Sequence, residues 1–387
     1  MNFTYEKIKE LEQYGSDFLN RFCFINGTPV LLDEIGTIGY SEFALRTKLN
    51  MPGKLYKYFP NRTDEKENPI THEKYMVNYS IEALESNKVY LSSPTQFDDV
   101  YDSSVYTDWA TFLQKRLQHY CTLCGIEVAA SSDIESLLVE LLSNLSNAVE
   151  RCGDMIAAFN LAGESKGTSL AAQVFVGRLT NALVINGKRG QDAVLHVLWE
   201  EYDELQNRIQ SLFRISCFTT TPFSQLMWGG SYANCHSGFC IEYEVLPSNE
   251  SFRDVYNNLF PVVYSKVRSD ISDTLTRWQD VSVTEETLWN IYFHGTLRKS
   301  FDWAYQNEWR LLMPSGMTGE KYTVPFFPIS RVYLGNRMKK DERQKIIDIC
   351  HAKHIPYVGV TRAPDRFEMQ ECSVLCEECP QFNGLHT

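Results

Sequence analysis

The chain has few cysteines for its length, and long apolar runs are absent from it. It contains 11 cysteines in 387 residues, far below the density of a disulfide-stapled scaffold, so we expect reduced thiols packed as small apolar groups. No stretch approaches the roughly 20 apolar residues that a membrane-spanning helix requires. The segment Met1–Lys7 has neither the basic nor the apolar region of a secretory signal. We therefore expect a cytoplasmic protein that does not associate with membranes.

Positive charge is also scarce, because the formal net charge is −12. Broad, nonspecific binding of nucleic acid depends on Lys and Arg neutralising phosphates, so this balance argues against that class of function. Internal repeats and low-complexity tracts are missing as well. What the chain has is a globular composition, with 43% hydrophobic and 13% aromatic residues. It is long enough for a sizeable core and favours an aromatic-lined cleft.

The segment 215–245 is the most informative stretch. β-Branched and aromatic residues predict a strand from Ile215, which Pro222 ends because proline has no N–H to donate. A short helix over 224–234 and a period-two strand over 239–245 follow. Polar and aromatic residues that an ordinary core does not require recur in this unit, and we interpret them as part of a cleft wall: Trp228, Tyr232, His236 and Glu242.

The pattern along the rest of the chain predicts an α+β fold with a mixed, largely antiparallel core sheet and a large helical insertion. Residues 1–54 read as an N-terminal helical arm, and its helix over 3–22 is a candidate surface for homo-oligomerisation. The core domain comprises 55–102 and 214–362, and leucine stripes predict that 103–213 is helical. Further strands are predicted at 55–59, 88–93, 260–264, 308–313, 329–334 and 355–360, with helices at 79–85, 284–299 and 339–354.

Residues 363–387 form a cysteine-containing tail. Cys372, Cys376 and Cys379 have a C-x3-C-x2-C spacing. Three thiolates, with His386 or another cysteine as a fourth ligand, match the donor set of a zinc site. The alternative is a tail with free thiols.

The core contains a series of short motifs in a fixed order along the chain. They are Leu55–Tyr58, Val89–Pro94, Phe97–Asp102, Cys217-Phe218, Met227-Trp228, Tyr232, His236, Gly238-Phe239, Glu242, Tyr264, Lys299, Trp303, Glu308–Arg310 and Tyr333–Gly335. Taken together, this order resembles a bacterial family known as domain of unknown function 2971. The resemblance covers about 55–360, interrupted by the helical block. The loop after the second core strand departs from the family's usual Phe-Asn-Asp-Pro pattern, since Asp98 replaces the Asn and Val100 the Pro.

A second resemblance concerns activity. Folds similar to ADP-ribosyltransferases have a split β-core with three signatures in chain order: a basic residue or histidine on an early strand, a serine at a strand end, and a glutamate on a late strand. Here Lys57 or Tyr58, the pair Ser92-Ser93, and Glu308 match that order. The resemblance implies an enzyme that uses NAD as its substrate, by ADP-ribosyl transfer or NAD cleavage. It also implies a bacterial effector in antiphage defence or a toxin, with a protein or nucleic-acid acceptor.

On this interpretation a carboxylate stabilises the ribosyl cation, aromatic faces stack on the nicotinamide ring, and hydroxyl groups bind its amide. We expect Glu308→Gln to abolish activity and to leave folding intact. We also expect the candidate residues to converge on one cleft. The catalytic candidates are Glu308, His236 and Lys57, and the NAD-binding candidates are Tyr58, Ser92, Ser93, Asp99, Trp228, Tyr232, Lys299 and Arg310.

Two other functions remain open. In a metal-dependent nuclease or hydrolase, Lys299 or Arg310 would hold a phosphate and His236 would act as general base. In a non-catalytic binding or regulatory module, Lys299, Glu308, Arg310 and His236 would form a buried polar network, since buried charges are found paired. The carboxylates available to a metal ion are Asp98, Asp99, Asp102, Glu242 and Glu308.

Overall fold

The computed structural model describes residues 22–25, 28–31, 48, 51–144 except 69 and 124, a few positions among 174–190, 191–272 except 269, 291–315 and 322–372. The predicted helix over 3–22 and its proposed role in oligomerisation lie outside these residues, except for Phe22, which begins a strand. In chain order the strands are β1 Phe22–Ile25, β2 Thr28–Leu31, β3 Lys54–Phe59, β4 Asp64–Glu67, β5 Lys74–Val77, β6 Lys88–Tyr90, β7 Phe213–Thr219, β8 Phe239–Glu244, β9 Leu259–Pro261, β10 Val263–Ser265, β11 Arg298–Ser300, β12 Glu308–Pro314, β13 Thr323–Pro325, β14 Ile329–Leu334, β15 Tyr357–Arg362 and β16 Met369–Cys372. The α-helices are α1 Tyr79–Ser86, α2 Trp109–Leu123, α3 Ile134–Ser143, α4 Gln191–Ser211, α5 Gln225–Gly229, α6 Arg253–Asn257 and α7 Lys340–Ala352.

Eight strands form the main sheet, in the order β16-β15-β14-β8-β3-β7-β12-β9. The pair β14–β15 is parallel, and the other neighbours are antiparallel. The predicted α+β class with a mixed, largely antiparallel core sheet is therefore confirmed. The core strands were recognisable because their apolar and β-branched residues suit a pleated surface packed on both sides.

The apolar core of this sheet explains why these segments are strands. All residues of β12 from Glu308 to Met313 are buried. Leu55, Ile241 and Leu311 are fully enclosed in one cluster, to which α7 contributes Ile346 and Ile347. Burial of each large apolar side chain contributes about 1.5–3 kcal/mol relative to exposure, so the strands are stabilised by packing as well as by their ladders.

The main sheet is split between β3 and β7. These strands share a single antiparallel pair, Tyr56 with Thr219, whereas β3 pairs with β8 along its whole length. β7 likewise pairs with β12 along its whole length. The two halves of the sheet therefore separate beyond one residue pair, and backbone groups facing the gap need other partners.

A smaller sheet has the order β11-β10-β1-β2. β1 pairs with β10 in antiparallel fashion and with β2 as a hairpin, and β10 pairs with β11 in parallel. Two sequence-based expectations need correction here. The arm at 1–54, predicted to be helical, contains the strands β1 and β2 at Phe22–Ile25 and Thr28–Leu31. The predicted helix over 284–299 gives way to a short π-helix at Tyr292–Thr296 and to strand β11.

A second compact unit comprises Ser104–Gln210 and Arg268–Thr296, whereas Met1–Ser103, Ser211–Val267 and Leu297–Thr387 form the first. The second unit is built on α2, α3 and α4, so the predicted helical insertion is present. Its core contains the leucine stripe of α3, with Leu137, Leu138 and Leu141, packed with α2 and α4. Within the part of the chain that the structure describes, no helix has both the length and the apolar character needed to cross a membrane.

Candidate functional site

A cavity of about 450 Å³ opens in the first unit, lined by side chains of both β3 and β7 where these strands diverge. Its size lies in the range of small-molecule and cofactor sites. The wall combines aromatic rings with cationic, acidic and hydroxyl groups. The lining residues are Tyr56, Lys57, Tyr58, Ser92, Gln96, Phe97, Asp98, Asp99, Asp102, Ile215, Cys217, Phe218, Thr219, Leu226, Met227, Gly230, Ser231, Tyr232, Lys299, Trp303, Tyr305, Gln306 and Glu308.

Lys57 bridges the split in the sheet. Its Nζ donates to Ser216 Oγ at 3.1 Å and to the Cys217 carbonyl at 2.9 Å, both on β7. The side chain thus satisfies a carbonyl that a continuous ladder would have paired. Both acceptors are neutral, and burial lowers the pKa of Lys57 from its ordinary value. An ammonium group has three donor hydrogens, so one of them remains for a ligand.

A buried ionic cluster lies at the base of the cavity. The Arg310 guanidinium makes a bidentate contact with Asp102, at 2.8 and 2.7 Å, and its Nε donates to Glu308 Oε1 at 2.7 Å. Lys299 Nζ lies 3.0 Å from Glu308 Oε2 and 3.1 Å from Asp102 Oδ2. Two cations and two carboxylates therefore balance in charge, as burial requires.

These contacts determine the ionisation of both acids. Burial by itself would raise the pKa of Glu308, but Arg310 and Lys299 outweigh burial and hold this pKa well below its ordinary value. The same opposition between burial and the two cations leaves the pKa of Asp102 lowered. Glu308 is consequently an anion at any physiological pH, and it is a poor proton acceptor.

A strained turn positions Asp102. The Asp102 amide donates to the Asp99 carbonyl at 3.0 Å, and the next residue, Ser103, has a left-handed backbone with φ of 55°. Ser103 Oγ donates to Asp102 Oδ1 at 2.9 Å, and Arg310 donates to the same hydroxyl at 3.2 Å. A non-glycine residue in this conformation is held by its surroundings, and here the surroundings are the ionic cluster.

A hydrogen-bonded series leads from the cluster to the cavity wall. Lys299 Nζ donates to Gln306 Oε1 at 2.9 Å, and Gln306 Nε2 lies 2.7 Å from the Tyr232 hydroxyl. Lys299 also lies 5.2 Å from the centroid of the Trp303 ring, within the range of a cation–π contact. Glu308 is fixed at its backbone as well, because its amide donates to the buried Tyr264 hydroxyl at 2.8 Å.

Most of the residues that the sequence nominated meet at this cavity. Glu308 and Lys57 of the catalytic set line it, as do five of the NAD-binding set: Tyr58, Ser92, Asp99, Tyr232 and Lys299. They come from β3, the segment after β6, the turn after α5, β11 and β12, which are far apart in the chain. Their convergence depends on the strand order β3-β7-β12.

Four nominated residues are not part of the lining, so the predicted convergence is incomplete. Arg310 is fully buried and acts on the cavity through Asp102 and Glu308. Trp228 is also fully buried, and its Nε1 donates to the Pro222 carbonyl at 2.6 Å. Ser93 is the third, and its backbone amide is already engaged, because it donates to Gln96 Oε1 at 3.1 Å in a capping box.

His236 is the fourth. Its ring is parallel to Trp228, with centroids 6.4 Å apart, and its backbone has a φ of 70° in the turn before β8. Burial, with Arg337 and Arg362 nearby, lowers the pKa of His236 from its ordinary value. The imidazole belongs to the packing of this turn and lies outside the cavity that Glu308 lines.

The acids considered for a metal-dependent hydrolase do not form one group. Glu242 belongs to a separate cluster, where it accepts hydrogen bonds from Lys54, Ser330 and Tyr333 at 2.6–2.8 Å. Asp102 and Glu308 are engaged by cations. Among the described residues, no set of three or more His, Cys, Asp or Glu side chains is arranged to hold a metal ion.

The structure describes only the first residue of the predicted zinc site in the tail. Cys372 is buried at the end of β16, which pairs with β15 at the edge of the main sheet. Cys376, Cys379 and His386 lie outside the described residues, so a zinc site there stays a prediction.

Sequence reasoning missed Gln306 and Cys217 as cavity residues. The signal for Gln306 in the sequence is an amide two residues before the strand glutamate, whereas its burial, at 3% exposure, is visible only in the structure. The ring of Trp303 and the amide of Gln306 lie on one 3₁₀ helix, Phe301–Gln306, which presents both toward Lys299.

Residues 227–311 match the sequence model of the family described as "Protein of unknown function (DUF2971)". The match confirms the predicted resemblance for this part of the chain, which contains Tyr232, Lys299, Glu308 and Arg310. No curated protein and no solved structure gives a significant match to the chain. The family description names no activity, so the function has to be argued from the site.

Proposed function

We propose that the cavity binds NAD and that the protein transfers ADP-ribose from NAD to an acceptor or hydrolyses NAD. The observation that carries this proposal is the presence of Lys57, Ser92 and Glu308 in one cavity at a split in the core sheet. These residues follow the chain order that resembles ADP-ribosyltransferases. The volume of about 450 Å³ suits a ligand of this class that remains partly outside the cavity.

The polar groups of the cavity fit a nucleotide. Lys57 has a donor hydrogen left for a phosphate oxygen. Asp99 Oδ2 is a buried acceptor with no hydrogen-bond partner among the described residues, which suits a ribose hydroxyl group. Tyr58, Tyr232 and Trp303 offer aromatic faces to a base or nicotinamide ring.

Glu308 would act electrostatically. When the bond between ribose C1′ and nicotinamide breaks, its electron pair leaves with the nicotinamide nitrogen and positive charge develops on the ribose. A permanently ionised carboxylate at the base of the cavity stabilises that charge. The acceptor, water or another nucleophile, then bonds to C1′ and releases its proton to solvent, because the low pKa of Glu308 makes it an unsuitable base.

A binding module without turnover is the second candidate. Both oxygens of Glu308 already accept hydrogen bonds from Arg310 and Lys299, so the carboxylate has a structural role whether or not it is catalytic. A carboxylate offers about four acceptor positions, which leaves room for a ribose hydroxyl but does not require one. Binding of NAD without release of nicotinamide would favour this candidate.

The test is to incubate the full chain with NAD and to measure nicotinamide release by chromatography and NAD binding by calorimetry. We expect release in the wild type and a fall of about 100-fold or more in Glu308→Gln, the range for losing one electrostatic stabiliser. The assay temperature must lie below the temperature at which that variant unfolds. Labelled NAD then distinguishes transfer to protein or nucleic acid from free ADP-ribose.

Asp99→Asn is a second variant for this test, because Asp99 lies outside the ionic cluster and its loss should raise the KM for NAD. The exposed Glu371→Gln is a matched control that should behave as wild type. If the wild type neither bound NAD nor released nicotinamide, the proposal would be wrong. A role in antiphage defence or as a toxin stays a prediction from the resemblance.

A further inference from the structure

Three acceptors hold the Lys299 ammonium. It donates to Gln306 Oε1 at 2.9 Å and to Glu308 Oε2 at 3.0 Å, and it forms an ion pair with Asp102 Oδ2 at 3.1 Å. A lysine ammonium can only donate. The buried ion pairs hold this group in one orientation, so it acts as a fixed donor toward the side chain of Gln306.

This fixed donor determines which way the Gln306 amide points. The carbonyl oxygen has to face Lys299, so the NH₂ group faces Tyr232, whose hydroxyl oxygen lies 2.7 Å from Nε2. The reversed amide would place NH₂ against the ammonium, with two donors facing each other. Gln306 lines the cavity but is only 3% exposed, because Lys299 engages its carbonyl oxygen and Tyr232 its NH₂ group.

The direction of the next hydrogen bond follows. Since the Gln306 N–H donates, the Tyr232 oxygen accepts, and the Tyr232 hydroxyl proton has to point elsewhere. Among the described residues no acceptor for this proton is found. Tyr232 lines the cavity and is 36% exposed, so the free direction is toward the cavity or its mouth. Burial raises the pKa of Tyr232 to about 12, and the hydroxyl therefore stays protonated at physiological pH.

We infer that Tyr232 is a hydrogen-bond donor directed at the ligand, and that Gln306 is the positioning residue that fixes this polarity, so the cavity selects ligands with an oxygen acceptor at this point. A carbonyl or phosphate oxygen meets that requirement, whereas a donor group such as an amine is disfavoured. The identity of the ligand as NAD rests on the proposed function, but the direction of the hydrogen bond does not.

A double-mutant cycle on NAD affinity tests the inference. Tyr232→Phe keeps the ring and removes the donor. Gln306→Glu keeps the shape but places an acceptor oxygen against Tyr232, which then donates to it and no longer to the ligand. Each single variant should weaken NAD binding about 2- to 12-fold, the range for one net hydrogen bond. The double variant should bind as weakly as Tyr232→Phe alone.

The cycle separates positioning from a general structural or charge effect. If Gln306→Glu acts through its charge or through damage to the fold, it weakens binding further in the Tyr232→Phe background, and the inference is then wrong. Gln306→Met is the substitute if Gln306→Glu does not fold. Gln306→Met should weaken NAD binding by itself, because the Tyr232 hydroxyl group is no longer held. It should not weaken binding further in the Tyr232→Phe background, where that hydroxyl group is absent.

A measurement without ligand keeps the inference separate from the NAD proposal. In the nuclear magnetic resonance spectrum of the free protein, the Gln306 side-chain amide signal, assigned by its loss in Gln306→Met, should shift in Tyr232→Phe. An unmoved signal would show that this hydrogen bond is absent and would overturn the inference. A shifted signal with no NAD binding by the wild type would count against the proposed function and leave the hydrogen-bond direction supported.

Discussion

Replacing Glu308 with glutamine should lower the free energy of unfolding of the protein, although it changes few atoms. The side chains of Glu308 and Asp102 are each 4% exposed, and those of Lys299 and Arg310 are 7% and 0% exposed. Without the Glu308 charge, one carboxylate remains for two buried cations, and the new NH₂ group must face either Arg310 or Lys299. Loss of one partner from a buried ion pair costs about 3–5 kcal/mol. We expect a loss of that order in the free energy of unfolding at pH 7.

The assay is urea denaturation of the full chain, followed by tryptophan fluorescence and circular dichroism. Glu371→Gln is the matched control, because Glu371 makes an exposed pair with Arg331 at 2.7 Å and such pairs contribute about 0–1 kcal/mol. If Glu308→Gln lost no more stability than this control, the cluster would not carry the energy we assign to it. The expected loss of about 3–5 kcal/mol would instead overturn the sequence-based expectation that this variant folds intact.

The same variant has a pH signature. The pKa of Glu308 and that of Asp102 are lowered in the folded protein from ordinary values of 4.5 and 3.8. The unfolded chain therefore binds protons first as the pH falls, and stability that is present above pH 4.5 is lost progressively toward the lowered pKa values. Glu308→Gln should show a smaller loss over this range, since only Asp102 still contributes.

Three further substitutions test the framework around the cavity. Gly238→Ala should cost about 1–3 kcal/mol or more in unfolding free energy, because its Cβ would lie 2.1 Å from a β3 carbonyl oxygen, whereas Gly53→Ala meets open space and should cost far less. Tyr264→Phe should lower the free energy of unfolding by about 1–3 kcal/mol, because it leaves the first amide of β12 without its acceptor. The exposed Tyr90→Phe should not, and equal unfolding free energies for the two variants would contradict this. The lowered pKa of His236 means that the unfolded state is protonated first below its ordinary value of 6.5. Wild-type stability should therefore fall as the pH drops below 6.5, and His236→Gln should remove part of that fall.

Much of the fold could be predicted because local pattern and tertiary role agree. β8 and β14 are six residues long, and each shows either alternating polar and apolar residues or a run of apolar residues. Glycine or proline residues mark the neighbouring turns, so the length and position of these strands could be predicted. The errors fall where the pattern is ambiguous. Arg298–Ser300 continues a helical-looking segment but pairs with β10, and long-range pairing of this kind leaves little trace in three residues.

The site was predictable in part for the same reason. Lys57, Ser92 and Glu308 sit at strands or strand ends, and strand ends tend to carry functional groups. His236 and Trp228 were misplaced because an aromatic or imidazole ring in a helix–strand corner looks the same in sequence whether it faces a cavity or the core. The packing of His236 against Trp228 decides between these, and it depends on a turn with three successive left-handed residues, Asn234, Cys235 and His236.

The amino-acid sequence by itself determined the strands, the helical insertion and the residue types available for chemistry, because hydrophobic periodicity and backbone restrictions act over a few residues. Only the tertiary structure decided that β3 and β7 separate after one pair, that Lys57 spans the gap, and that Glu308 is neutralised by Arg310 and Lys299. The first two features join segments more than a hundred residues apart, and the third belongs to a cluster that Asp102 completes from 208 residues away. Pairing at that distance depends on the complementary shape and charge of whole elements, which no local pattern records.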